Sequence, residues 1–297
     1  MASKLRSLAE TDVRHPIPPE QLLPALQTPP FIYVPGTFNT RDLGLLADDN
    51  DGSGSAKIRR GFIYRTGGLD ILHGSLEGRA ALREKLGVRR IFDLRSKDEH
   101  ARSPDPEIEG IEGVWLGSEG TTEQAAKVDL AAFIEGEGEK GYVAMYFEVL
   151  DWYQGIFREV LRSIRDRPQD PIMFHCTAGR DRTGVLAGML ETIAGYDPKL
   201  VQTDFLLSRI GYEPAREQLI KFAIQGAGVD VGEKPDLSRF YDVPGFLNLA
   251  ALKTSCWDAF VDAVREKYGG FEGYVTGVLG FSDEDLIKIR RNLVQAP

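Results

Sequence analysis

Residues 171–184 read Pro-Ile-Met-Phe-His-Cys-Thr-Ala-Gly-Arg-Asp-Arg-Thr-Gly. Ile172-Met173-Phe174 is an apolar run of the length of a buried strand. Beyond the turn, Val185, Leu186, Met189, Leu190 and Ile193 recur at helical spacing. A strand-to-helix turn of this kind aims several backbone N–H groups at one point, and the helix N-terminus behind it adds roughly half a positive charge. Gly179 permits a positive φ, so that consecutive amides can converge into an anion-binding nest. Arg182 adds a planar fork that matches phosphate oxygens two at a time. The ligand this turn fits is a tetrahedral oxyanion.

Cys176 stands at the mouth of that cradle. Amide dipoles and a guanidinium both favour a thiolate, which makes the sulfur a nucleophile placed under the atom whose oxygens the amides hold. Thr183 can offer its hydroxyl to the thiolate as it leaves, and His175 can fix the cysteine backbone by hydrogen bonding. The alternative is a buried structural cysteine beside an unrelated arginine.

His175-Cys176, five further positions and Arg182-Thr183-Gly184 together resemble the signature loop of the protein tyrosine phosphatase superfamily. The fuller form H-C-T-A-G-R-D-R-T-G is similar to the bacterial and fungal tyrosine/lipid phosphatase branch, whose loop usually reads H-C-x-A-G-K-D-R-T-G. The resemblance implies an α/β fold with a central, mainly parallel sheet flanked by helices, and a helical lid within residues 205–265. It implies hydrolysis of a phosphate monoester through a cysteinyl-phosphate. Cys176 is then the nucleophile, with Thr177, Ala178, Gly179, Arg180, Arg182 and Thr183 holding the phosphate. In this branch the aspartate inside the loop is the general acid, which is Asp181 here; Asp151 and Asp129 are rivals, and Asp181 could instead only brace the neighbouring arginines. The substrate is a phosphorylated protein, phosphotyrosine above all, with phosphoserine and phosphoinositide as further possibilities. Arg180 replaces the family's lysine. The charge survives but the donor geometry changes, and a second cation suits a multiply phosphorylated inositol ring. No cofactor is implied, and no metal, because arginine and amides supply the charge and no ligand cluster is apparent in the sequence.

Other pieces carry the same resemblance from about residue 31 to 293. Phe38-Asn39-Thr40-Arg41-Asp42-Leu43-Gly44 is similar to the family's N-F-R-D-L-G segment, with Thr40 where phenylalanine is usual; Arg41 and Asp42 either brace the site or pair with each other. Arg65-Thr66-Gly67-Gly68 resembles an R-S-G-x turn. A helix over Leu76 to Leu86, capped by Ser75 and stopped by Gly87, leads to a strand over Val88 to Leu94. That strand ends in Asp93-Leu94-Arg95-Ser96, with Glu99 following. Polar residues at the C-terminal edge of a parallel strand line the crevice where α/β proteins bind ligands. Asp93 and Arg95 are therefore supporting candidates, or an internal ion pair.

Further elements follow from local pattern. Strands are expected over Ile58 to Tyr64 and Val114 to Leu116, and residues 117–140 are expected to loop out. One core helix covers Tyr142 to Ile164, broken near Gly155. Gly195 ends the helix after the signature, and Asp197 with Pro198 starts another. Residues 212–252 mix helical pattern with breaks. A helix over Lys253 to Lys267 buries Cys256, and Ser282 with Asp285 forms a capping box before the last helix, where Phe281 can staple onto Leu286. Residues 1–30 hold six prolines and read as an extended arm on a phosphatase domain of residues 31–297. Asp48 to Ser55 echoes a calcium loop without its spacing and reads as a solvated hairpin tip.

Composition bounds the rest. The chain has 297 residues, is 42% hydrophobic and 27% charged, and carries a net charge of −9. An acidic protein is a poor partner for nucleic acid or an anionic membrane. Two cysteines exclude a disulfide scaffold and suit a reducing compartment. The first twelve residues hold no apolar core of signal-peptide length, and no stretch approaches a membrane span, so there is no stable membrane insertion. The expected location is cytoplasmic. Two other function classes compete: a non-catalytic phosphate-binding module, and a rhodanese-like sulfurtransferase, against which Arg182-Thr183-Gly184 argues.

Overall fold

The computed structural model describes residues 2–46, 57–117, 128–228 and 237–296. The acidic stretch at Asp48 to Ser55 lies outside them. Among the described residues five strands form one sheet: β1 (Arg41–Asp42), β2 (Ile63–Thr66), β3 (Arg90–Asp93), β4 (Glu112–Trp115) and β5 (Ile172–His175). Their order is β1-β2-β5-β3-β4, with β1 antiparallel and the rest parallel. The protein is α/β with a mainly parallel sheet, as the resemblance implied.

The strand before the signature turn is central. β5 pairs β2 on one side and β3 on the other, and His175 is in register with both Thr66 and Asp93. All four of its residues are buried. Ile172 and Phe174 enter the large core on one face, while Met173 joins a smaller cluster with Val34, Leu82 and Ile91 on the other. A strand covered on both faces needs such an unbroken apolar run.

The small face is covered by α3 (Leu76–Ala80), which runs on as a π turn over Ala81–Lys85. Ser75 accepts from the Gly78 amide as its cap, and Gly87 takes φ +67 at its end. After β3 comes α4 (Lys97–Arg102), opened by a reciprocal Ser96–Glu99 capping box. The expected helix over Tyr142 to Ile164 is two: α5 (Glu139–Trp152) and α6 (Gln154–Asp166), broken at Tyr153 rather than Gly155. The signature turn feeds α7 (Asp181–Ala194), closed by Gly195 at φ +89, and α8 (Pro198–Gly211) starts under an Asp197 cap. The remaining helices are α9 (Arg216–Gly226), α10 (Phe246–Ala250), α11 (Thr254–Tyr268), α12 (Phe271–Gly277) and α13 (Asp283–Val294). The Ser282–Asp285 capping box is present, and Cys256 is buried in α11. Phe281 and Leu286 are both buried in the large core. In mid-α7, Gly188 lets α11 approach: a Cβ there would sit 2.4 Å from the Trp257 ring.

Two expectations need correction. The strand expected over Ile58 to Tyr64 begins only at Ile63, because residues 60–62 form a turn whose Gly61 takes φ +74. The N-terminal stretch is not extended. It folds as α1 (Ala2–Ala9) and α2 (Pro19–Leu26), both packed on α8. Proline count misled because Pro19 sits at the first helical position, where its missing N–H costs nothing, and Pro24 is tolerated within one short helix. Leu5, Ala9, Val13 and Ile17 are buried at steps of four residues. Among the described residues no helix is long and apolar enough to cross a membrane.

The sheet edge is tied to α8 by ions. Arg41, Arg65 and Asp204 are all almost fully buried. Arg41 donates from Nε to Asp204 Oδ1 at 2.8 Å, and Arg65 pairs with Asp204 Oδ2. Removing one member of a buried set leaves an uncompensated charge. Asp204→Ala is expected to lower unfolding free energy by about 3–5 kcal/mol, read as a lower urea midpoint.

Candidate active site

The turn after β5 keeps its shape because its carbonyls are held from behind. Gly68 donates its amide to Thr177 O at 3.0 Å. Asn39 donates from Nδ2 to Ala178 O at 3.2 Å and to Gly179 O at 2.9 Å. Arg65 adds a bond from Nη2 to Gly179 O at 2.7 Å. In a planar trans peptide the C=O and the following N–H point in opposite senses. Three carbonyls drawn outward therefore turn the amides of Ala178, Gly179 and Arg180 inward. Gly179 takes φ +62, and a Cβ there would lie 2.4 Å from Thr66 O, so only glycine fits between the loop and the end of β2.

The brace has a brace of its own. Arg41 bonds Asn39 Oδ1, and also reaches Asp204 O and Ser208 Oγ from Nη2. Asn39 itself adopts φ +57, a left-handed conformation that asparagine tolerates better than most. Arg41 therefore acts through Asn39 and does not pair with Asp42. Asp42 instead accepts from the Gly44 and Gly61 amides at 2.8 and 2.7 Å, closing two turns.

Cys176 is buried at the base of the loop, and α7 begins at Asp181, so the helix N-terminus faces the loop. Arg182 is held by Glu99 in a two-pronged pair, Nη1–Oε2 2.6 Å and Nη2–Oε1 2.8 Å. It also reaches Leu94 O and the Tyr153 hydroxyl. Thr177 donates its hydroxyl to Glu99 Oε1 at 2.5 Å. Burial would raise the Glu99 carboxyl, but the Arg182 guanidinium and the Thr177 hydroxyl outweigh it and hold the group well below the ordinary carboxylate range. Glu99 is thus an anion that aims Arg182. The Thr183 hydroxyl is buried and has no hydrogen-bond partner among the described residues.

Arg180 behaves differently from Arg182. Its Nε donates to Asp181 Oδ1 at 3.0 Å, its Nη2 to Leu249 O and the Tyr142 hydroxyl, and its Nη1 to Ala250 O. The guanidinium is spent on the end of α10. Asp181 Oδ1 also accepts from the Tyr146 hydroxyl at 3.0 Å. Asp129 caps a 3-10 turn through the Ala131 amide, and Asp151 is exposed. Neither lines the cavity over Cys176, whereas Asp181 does.

Asp93, Arg95 and His175 come together beneath the loop. Arg95 holds Asp93 through two bonds of 2.9 Å and reaches Asp105 at 2.7 Å, and Asp105 Oδ2 lies 2.7 Å from His175 Nε2. His100 Nδ1 adds a contact to Asp93 and stacks on Trp115. His175 Nδ1 lies 3.4 Å from Cys176 O, so the imidazole faces the cysteine backbone. Burial would lower the His175 imidazole, but the Asp105 carboxylate raises it; burial would raise Asp93, but the charges of His175 and Arg95 hold it down to about 2. Asp93, Asp105 and His175 bring three metal-ligating atoms within 4.8 Å of one another. The Arg95 guanidinium bonds both carboxylates of that group, so the charge a cation would bring is already supplied by the protein.

Above Cys176 opens a cavity of about 160 Å³. Met145, Leu219, Ile220 and Phe246 supply apolar walls, and Arg180, Asp181 and Arg182 lie along its polar end. Residues 205–265 thus contribute α9 and α10 to its lining. Sequence reasoning gave no role to several residues of this site. Asn39, Glu99 and Arg65 stood inside quoted motifs without one, whereas Asp105 and Asp204 carried no local signal.

A family model described as the tyrosine phosphatase family matches residues 32–295, and the chain belongs to that family. A tyrosine-protein phosphatase of Nostoc commune is 28% identical over 214 residues, covering 71% of this chain and 68% of that protein. A triple specificity protein phosphatase of Mycobacterium tuberculosis is 23% identical over 265 residues, covering 82% and 91%. This is an enzyme of the cysteine-dependent phosphatase type.

Glu99→Gln should keep the fold and release Arg182. A drop in kcat/KM of about a hundredfold on an aryl phosphate is expected, the scale of losing one aimed oxyanion donor. Steady-state kinetics alongside a melting curve would check it, and unchanged kinetics would remove Glu99 from the site.

Proposed function

We propose that this chain hydrolyses phosphotyrosine in proteins, through a cysteinyl-phosphate on Cys176. The Cys176 sulfur attacks phosphorus in line with the phenolic oxygen. Loop amides and Arg182 take the three equatorial oxygens as charge builds on them. The P–O bond breaks as Asp181 gives its proton to the departing phenolate. Water then attacks the phosphocysteine, losing its proton to Asp181, and the thiolate departs with the Thr183 hydroxyl as its donor. Among the described residues the bonds to Asp181, from Arg180 and Tyr146, both go to Oδ1, which leaves Oδ2 as the oxygen to carry the proton.

One observation carries the preference for phosphotyrosine. The cavity is apolar along its walls, and its arginines are engaged: Arg182 by Glu99, Arg180 by the carbonyls at the end of α10, and Arg216 by Val13 O and the Tyr241 hydroxyl. An aromatic ring is at home between such walls. A polyphosphorylated inositol needs further free cations, and Arg180 would have to leave Asp181 to supply one. Phosphoserine carries no ring to set against Leu219 and Phe246. The α9 and α10 segments act as the cover of the site, with α10 pinned by Arg180. A free thiol nucleophile suits a reducing compartment, which fits the cytoplasm.

Rapid quench of turning-over enzyme should trap phosphate on residue 176, and a Cys176→Ser protein should trap none; turnover without a trapped species in the wild type would overturn the mechanism. Asp181→Asn should cut kcat about a hundredfold or more on phenyl phosphate, whose leaving group is poor. On an activated dinitrophenyl phosphate the loss should be far smaller. Equal losses on both would take the acid role from Asp181.

A further inference from the structure

We propose that the N-terminal segment preceding the family match forms a wall of the substrate cavity through Val13 and so sets which leaving groups enter it. The inference rests on the hydrolytic reading of that cavity and deepens it. The family match begins at residue 32, yet Val13 lines the same cavity as Cys176. Its side chain is buried, in series with Leu5, Ala9 and Ile17, which pack the segment onto the core.

Residues 11–17 are held by a dense set of bonds from elements around the cavity. Arg209 of α8 donates to Thr11 O at 3.3 Å and to His15 O at 2.8 Å. Arg216, which opens α9, donates to Val13 O at 2.6 Å, and the Tyr241 hydroxyl donates to the same oxygen at 2.9 Å. Glu213 accepts from the Ile17 amide at 2.9 Å while pairing with Arg209. Both Arg216 and Tyr241 themselves line the cavity. A loop with three of its carbonyls fixed in this way does not drift, and its one valine side chain becomes a fixed part of the wall. Because α9 and Tyr241 grip the same carbonyl, the segment also fixes how closely the cover approaches the signature loop. The ligand class that reads such a wall is a phosphate monoester with an extended apolar or aromatic leaving group.

The test compares phenyl phosphate with the bulkier 2-naphthyl phosphate on the wild type, Val13→Trp and Val13→Ala, with melting curves for each. The readout is the naphthyl-to-phenyl ratio of kcat/KM. Val13→Trp should lower it about tenfold or more, and Val13→Ala should raise it about threefold, both through KM, on the scale that single methylene changes have in apolar pockets. Ratios that stay within about twofold of wild type in folded variants would overturn the proposal. If the tryptophan variant does not fold, the alanine variant decides. Calorimetric binding of the matching aryl phosphonates reads the wall without turnover. An inactive wild type would then count against hydrolysis alone, while the binding ratio still judges Val13.

Discussion

The arrangement depends on carbonyls being pulled outward at one turn. Left alone, a small-residue loop would point its C=O groups in every direction, including toward a bound anion. Gly68, Asn39 and Arg65 draw the oxygens of Thr177, Ala178 and Gly179 to the outer side. The inward amides are the consequence, and anion affinity follows from them. Arg65 also belongs to the buried ion set with Arg41 and Asp204, so the site's shape is coupled to the packing of α8 on the sheet. The nearby Glu191 carboxyl is fully buried, and burial, aided by the Asp204 charge, pushes it well above the ordinary range.

Three layers of polar bracing then surround one sulfur. Glu99 aims Arg182, Asp105 holds His175, and Arg180 ties the loop to α10. Each layer engages a charge within the protein. The division of labour between the two loop arginines is the clearest case: similar chemistry, but Arg182 is held by the Glu99 carboxylate, and Arg180 by the carbonyls at the end of α10.

Much of this was legible in the chain because it is local. The β5–loop–α7 unit, the Ser75, Asp197 and Ser282 caps, and the glycine stops at Gly87 and Gly195 depend on a few adjacent residues. What escaped depends on partners far apart in sequence. Asp105 meets His175 across 70 positions, and Asp204 meets Arg41 across 163. Spacing carries no trace of such pairs. Of the two readings of Arg41 and Asp42, Arg41 braces the loop through Asn39 and the two do not pair, since neighbours in a strand point to opposite faces. The helix α2 was hidden by its prolines, whose positions matter more than their number.

Gly188 has one more consequence. A glycine inside a helix gives up roughly 1 kcal/mol relative to alanine, and in α7 the vacated space is filled by the indole of Trp257. Any side chain at that position would have to displace the indole, so the helix that carries the signature turn at its tip is keyed to α11 at a single socket.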